Sequence, residues 1–544
     1  MHAAPRVYRR AVGASVFCAA LLLATFSAPP QRADAATACF NTGGTTVCID
    51  NATRPDQGIR MSGTPITSSF RDGAPGYYQF TGSGGGIFEF LKPTSSLTIQ
   101  ATAGFTIVVQ AGLSLPGVNV VISAPVFKMD PGSSLDLGSG ALTVMAGDGS
   151  GAPGSTSSPL IELRDATINA GNIDLESNVN LTIFPGTAAS IAVTTASSPR
   201  LSLFGASGIQ SSGNVNLATS SLVFVQINAF ASGPGSPDHD VVLANTTTTS
   251  TVVSHISGTS SVNAAGDVSI TAANTVVVNA TTDASNAAAG AAVARGIVTT
   301  TTRAFSDTTG VISAHAVNIF ADSDATVVNT AKSSTSGARR NDTDVQAATA
   351  KLAKTSAGSM PVASALAANQ RTSTTEAYAS AGTLKASSAP GVTVHAASKE
   401  SVTATADASP IAGSTTGVGG AVATNLGTLT TSSWMQGATV DAPKVTIEAL
   451  APRSSLSSFT ASAIAGNGVN AAAPALTGAI GVNAIKQTTT AEIPAGATVG
   501  LNGDLAITAR SGNTHRAVAQ PSTSGPIAIG LDGATALDIV DDTT

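Results

Sequence analysis

Beyond about residue 262 the chain repeats itself, and no other feature restricts its fold as tightly. One element reads Val262-Asn263-Ala264, then Val268-Ser269-Ile270-Thr271-Ala272. It returns as Ile312-Ser313-Ala314 with Val317-Asn318-Ile319-Phe320-Ala321, and as Leu384-Lys385-Ala386 with Val392-Thr393-Val394-His395-Ala396. Two further copies are Val440-Asp441-Ala442 with Val445-Thr446-Ile447-Glu448-Ala449, and Val499-Gly500-Leu501 with Leu505-Ala506-Ile507-Thr508-Ala509. Every second residue is aliphatic, which turns one apolar face inward along a strand. A second element precedes four of these copies. It runs Gly478-Ala479-Ile480-Gly481-Val482-Asn483 and then Thr488-Thr489-Thr490-Ala491, with counterparts starting at Ala291, Ser364 and Gly420. Asn369 and Asn425 match Asn483, and the pairs Thr301-Thr302, Thr374-Thr375 and Thr430-Thr431 match Thr488-Thr489. The starts are separated by 73, 56 and 58 residues. Such periodicity marks stacked units whose cores are continuous only through their neighbours. A sandwich has no reason to repeat in this way. The fold expected is all-β: a parallel β-helix (β-solenoid) with an N-terminal cap, after a cleaved signal peptide.

Composition agrees with a thin, strand-built object. Serine and threonine number 133 of 544 residues, charged residues are 11% and aromatics 4%, against about 25% charged in an average protein. The 42% of hydrophobic residues is dominated by Ala and Val, enough to bury but short of the large rings that fill a broad core.

The first 35 residues read as an address. Arg6, Arg9 and Arg10 precede an uncharged stretch holding Leu21-Leu22-Leu23, and Ala33-Asp34-Ala35 offers cleavage between Ala35 and Ala36. That order is a secretory signal peptide. Its removal takes four arginines and one aspartate and moves the net charge from −6 to −9. No later stretch is apolar enough for a transmembrane helix, and no basic stripe runs long enough for nucleic acid.

Residues 36–105 are expected to form the cap. Phe70, Tyr77, Tyr78, Phe80, Phe88, Phe90 and Phe105 fall there, and a strand stack must close its open end. Their bland use is cap core; the functional one is a platform on which sugars stack. Cys39 and Cys48 flank the turn-forming Asn41-Thr42-Gly43-Gly44 and are expected to be bridged in an oxidising compartment. Residues 106–260 carry short alternating runs such as Val118-Asn119-Val120-Val121-Ile122, separated by Gly, Pro, Asp or Asn, and read as β-helix rungs. Residues 261–544 are the repeats.

The alternation of G-A-x-x-x-N, T-T-x-A and V-x-I-x-A units over about residues 260–544 resembles the repeats of large bacterial filamentous adhesins, the filamentous-haemagglutinin-like and leukotoxin-like exoproteins. The resemblance implies a secreted or cell-surface protein of a Gram-negative bacterium that contacts glycans or proteins on host cells or other bacteria. Two-partner-secreted members carry Asn-Pro motifs near the mature N-terminus, and none occurs in this chain, so the outer-membrane exporter is left open.

The residues point to no turnover chemistry, no cofactor and no metal. The outward position after the Ile or Val of V-x-I is successively Thr271, Phe320, His395, Glu448 and Thr508; a metal ladder would repeat its ligand type. His395 is therefore expected to be a solvated surface residue, and Asp238-His239-Asp240 a polar turn. β-Helices also host polysaccharide lyases and glycosidases, which need converging carboxylates or a metal-assisted base. Glu162, Asp165, Asp174 and Glu176 are the nearest approach to such a cluster. The 73-residue interval holds a basic concentration, Lys332, Arg339, Arg340, Lys351 and Lys354, read as a solvated excursion with a contact loop for anionic glycans as its functional counterpart. Finally, Gly533 to Asp538 can be laid over Gly478 to Asn483 at an offset of 55 residues. The last repeat then stops on two threonines, as expected of a fragment of something longer.

Overall fold

In the computed structural model the described residues are 96–544, apart from 102–105, 110–111, 149–155, 187, 231–240, 285–289, 334–352, 356–357, 361, 409–416, 452–455, 468–474 and 524–529, together with strands at 37–42, 45–50, 67–72, 77–81 and 87–91. They form an all-β parallel solenoid, with no helix among them. Each rung contributes a short strand to sheet C, a long strand to sheet A and a long strand to sheet B, then returns to sheet C. One rung runs Ser261–Ala264 (C), Val268–Asp283 (A) and Gly290–Ser306 (B); the next begins at Val311–Ala314.

The two repeat elements map onto this circuit. V-x-A is the strand of sheet C, V-x-I-x-A opens the strand of sheet A, and the Gly-Ala element with its Thr pair is the strand of sheet B. Register follows the repeats residue for residue: Ala291 pairs with Ser364, Ser364 with Gly420, Gly420 with Gly478 and Gly478 with Gly533. The expected outward column is likewise a true ladder, Thr271–Phe320–His395–Glu448–Thr508. A one-residue slip would turn every aliphatic side chain of a strand outward, so burial locks this register.

Rungs lengthen along the chain. Sheet A strands grow from Asn119–Ala124 through Ile173–Ile183 to Val215–Phe230 and Val392–Ala408. Short and long rungs alike enclose one core, lined by Leu97, Phe127, Leu175 and Ile270 among others. Where strands exceed about ten residues, sheets A and B run on past the three-sided core and pack face to face. They bury a second core of Val179, Leu181, Val225, Val278 and Phe459, rich in alanine on the sheet B side. Sheets pack about 10 Å apart, and small alanines suit so narrow a space.

Stacked turns are equally tight. Gly258 has a φ of +73° and follows Gly205 in the turn from sheet B to sheet C. A Cβ on Gly258 would lie 2.6 Å from the Gly205 carbonyl oxygen, so both the backbone conformation and the clearance require glycine.

At the N-terminal end pairing becomes antiparallel. Thr37–Thr42 pairs with Thr45–Asp50, which pairs with Ser96–Ala101, and Thr67–Asp72, Tyr77–Thr81 and Ile87–Leu91 form an antiparallel meander at the end of sheet B. The backbone register sets Cys39 directly opposite Cys48. The signal segment with Ala35 and Ala36, the Asp238-His239-Asp240 triplet and most of the basic excursion lie outside the described residues.

Candidate functional site

Strand periodicity places alternate residues of sheet B on the outer surface, and parallel register stacks them into columns. One outward column runs Ser202, His255, Phe305, Tyr378, Trp434, Glu492, its first two members covered at 2% and 6% exposure and its next three half-buried. Its four central rings are stacked. His255 and Phe305 have centroids 4.8 Å apart, Phe305 and Tyr378 4.7 Å, and Tyr378 and Trp434 4.2 Å, with interplanar angles of 16°, 8° and 4°. The rung spacing of about 4.8 Å is close to the separation that stacked rings need, so the ladder follows from register alone. Composition alone did not reveal it. The signal lies in the aligned repeats, where the residue after T-T-x-A or T-T-S-S is Phe305, Tyr378 or Trp434.

Two further outward columns lie on one side of the rings, the second beyond the first. In one, Arg303 Nε donates to Glu376 Oε2 at 2.7 Å, and Arg200 lies further along. In the other, threonines recur at 251, 301, 374, 430 and 488. The electrostatics of the ring column are set mainly by burial. Desolvation, with the Arg200 charge adding to it, pushes His255 down to about 4, so the imidazole is neutral at pH 7. Desolvation pushes the Tyr378 phenol up to about 12, the Arg303 charge opposing and Glu376 and Asp307 reinforcing.

Ring faces in the ladder cover one another. A sugar ring stacking on Phe305 or Tyr378 would have to displace a neighbour. Trp434 is different: the next residue in its column is Glu492, not an aromatic. What this surface offers is therefore a long, regular strip of ring edges, hydroxyls and one ion pair, rather than a pocket. The early aromatics Phe70 to Phe105, candidates for a sugar platform, lie where side chains are not described.

The acidic residues do not converge. Glu162 lies on the sheet B strand Leu160–Arg164, 3.8 Å from Lys128 Nζ. Asp165 follows in a turn at φ 46°, accepting from the Ala206 amide at 2.7 Å. Asp174 and Glu176 are on the sheet A strand Ile173–Ile183, accepting from Asn216 and Asn178. Burial first, and then the Asp174 charge, raise the Glu176 carboxyl. Each acid thus has its own partner, and the set is divided among a sheet B strand, a turn and a sheet A strand. Among the described residues no group of three or more His, Cys, Asp or Glu side chains is placed to hold a metal ion.

His395 requires a correction. It is not a free, solvated side chain: only 15% exposed, its Nδ1 lies 3.1 Å from Glu448 Oε2, and its ring meets Phe320 edge-on at 5.8 Å. Column neighbours from adjacent rungs cover it, a packing invisible within one repeat. Lys332, the first residue of the basic concentration, ends a sheet A strand with Asp283 and Asp407 in register on either side. Opposite charges set across a ladder attract, so its charge belongs to the stack.

Among the described residues no helix is long and apolar enough to cross a membrane. Comparison with protein-family models, with curated proteins and with solved structures gave no match.

Proposed function

We propose that the chain is a secreted or surface-exposed adhesin-like rod of a Gram-negative bacterium, a structural protein that attaches to glycans or proteins of other cells or surfaces and turns over no substrate. One observation carries this reading: side chains of successive rungs stand in unbroken outward columns, while the carboxylates are dispersed and singly partnered. Columns make an extended contact strip, and extended surfaces are what solenoids characteristically use for binding. Hydrolysis or elimination would require acid and base to converge on one bond. The first 35 residues supply the export signal in this reading. The antiparallel strands before residue 96 protect the stack's edge, and a Cys39–Cys48 bridge pins the outermost hairpin.

The test is to incubate the purified mature chain with bacterial and host cells and with immobilised glycans. Saturable binding without product supports the proposal. The competing reading is a β-helical carbohydrate-active enzyme; release of reducing or unsaturated sugars from a polysaccharide would establish it and overturn the adhesin.

A further inference from the structure

Between the two apolar cores runs a seam of inward-facing polar side chains. The seam crosses from sheet A to sheet B by direct hydrogen bonds in several rungs. Ser250 Oγ donates to Asn274 Oδ1 at 2.8 Å and lies 3.1 Å from the Ser221 hydroxyl oxygen, from which it can accept. Ser398 and Thr431 hydroxyls meet at 2.7 Å. One rung before that last pair the same two positions are occupied by Ser323 and Thr375, fixed by the ladders Ser323–Ser398 and Thr375–Thr431. Thr302 lies one rung earlier again in the Thr375 column.

These three side chains have the chemistry of the bonded pair but not its bond. Ser323, Thr302 and Thr375 are 1%, 0% and 0% exposed, and none of their hydroxyl oxygens has a protein partner. A buried hydroxyl left without a partner costs about 1–3 kcal/mol, and three neighbours in one seam would repeat that cost. Each is both donor and acceptor. Together they offer the two to four polar contacts that one buried water takes up.

We infer that Ser323, Thr302 and Thr375 form an internal water-binding site that joins sheet A to sheet B between the two dry cores. The ligand chemistry is neutral. The three groups are uncharged hydroxyls, and the buried charges of the neighbouring seam, Arg371 and Glu400, already neutralise each other. Among the described residues no group of three or more His, Cys, Asp or Glu side chains is placed there to hold a metal cation. Water substitutes here for the direct contact that Ser398 and Thr431 make one rung later.

The sign of a stability change tests this. Thr375→Val keeps the shape and removes the hydroxyl. If water bridges the site, that water loses a partner and the unfolding midpoint falls, as it must for Thr431→Val, where a direct bond is broken. If the seam is dry, valine removes an unpartnered buried hydroxyl and the midpoint rises, which overturns the proposal. Independently of either variant, a crystal structure of the wild-type chain at a resolution that reveals ordered solvent should show a peak within hydrogen-bonding distance of at least two of the three oxygens. A clean map without that peak would refute the site even if Thr375→Val failed to fold.

Discussion

Arg371 and Glu400 form a two-pronged ion pair inside the solenoid, with Nε to Oε2 at 2.7 Å and Nη2 to Oε1 at 2.8 Å, both side chains 1% exposed. Arg371 also donates to the Val298 and Thr372 carbonyls and to the Thr300 hydroxyl. Arg371 comes from sheet B and Glu400 from sheet A, so the pair ties the two long-strand sheets across the polar seam. Removing one partner strands a buried charge. Glu400→Ala or Arg371→Ala should destabilise the chain by about 3–5 kcal/mol, whereas Arg371→Met with Glu400→Leu should come close to wild type. Denaturant titrations of the three variants check this; a double variant as weak as the singles would contradict it.

The ring ladder should carry measurable stability, and the chain contains its own reporter. Trp434 is the only tryptophan, stacked on Tyr378 at 4.2 Å. Tyr378→Ser removes two stacked contacts, each worth about 0.5–1.5 kcal/mol beyond area burial. Unfolding should become easier by roughly the sum, and tryptophan emission should move to the red as the indole loses its cover. Unchanged emission would mean that the stack does not persist in solution.

His255 should make stability depend on pH. Its folded-state value of about 4 lies below the ordinary 6.5 because burial and Arg200 disfavour the imidazolium. Between those values the unfolded chain binds the proton that the folded chain refuses, so this contribution is present above about pH 6.5 and lost as pH falls towards 4. The shift corresponds to on the order of 3 kcal/mol. Phenylalanine at 255 would extend the stack onto Phe305 and cannot be protonated. His255→Phe should therefore lose less stability than wild type between pH 7 and pH 4.5. Equal losses would place the titrating group elsewhere.

Facing along the repeat strands can be read from one pair of substitutions. Ile447 is fully buried and Thr446, beside it, points out. Ile447→Asp would bury an unpaired carboxylate at a cost on the order of several kcal/mol, while Thr446→Asp should cost little. Thermal unfolding of both variants gives the comparison, and similar midpoints would mean that the register is wrong.

Much of the backbone is legible in the sequence because solenoid repeats are local statements. Val268-Ser269-Ile270-Thr271-Ala272 shows its inward face by alternation alone, and matching copies such as Ala291, Ser364 and Gly420 become ladder partners because burial allows only one register. The same alignment holds the column Phe305, Tyr378 and Trp434, the third residue after each Thr pair from copy to copy. The recurring asparagines were equally visible, but their use was not. Asn369, Asn425 and Asn483 face inward, and Asn369 and Asn425 each donate an amide hydrogen to the next asparagine at 2.8 Å.

The repeat strands, their inward and outward faces and the order in which they stack are written in the residues, since each depends on positions two or about fifty-six apart in one repeating pattern. What lies across the interior follows from the packing of the sheets instead. The pairing of Arg371 with Glu400, of Ser398 with Thr431, and the division into two apolar cores depend on how sheet A faces sheet B. So does the dispersal of Glu162, Asp165, Asp174 and Glu176, which are neighbours along the chain but lie on a sheet B strand, the turn after it and a sheet A strand. Periodicity specifies which side of a strand is inside. It carries no term for the distance between two facing sheets, and that distance decides which buried polar groups meet.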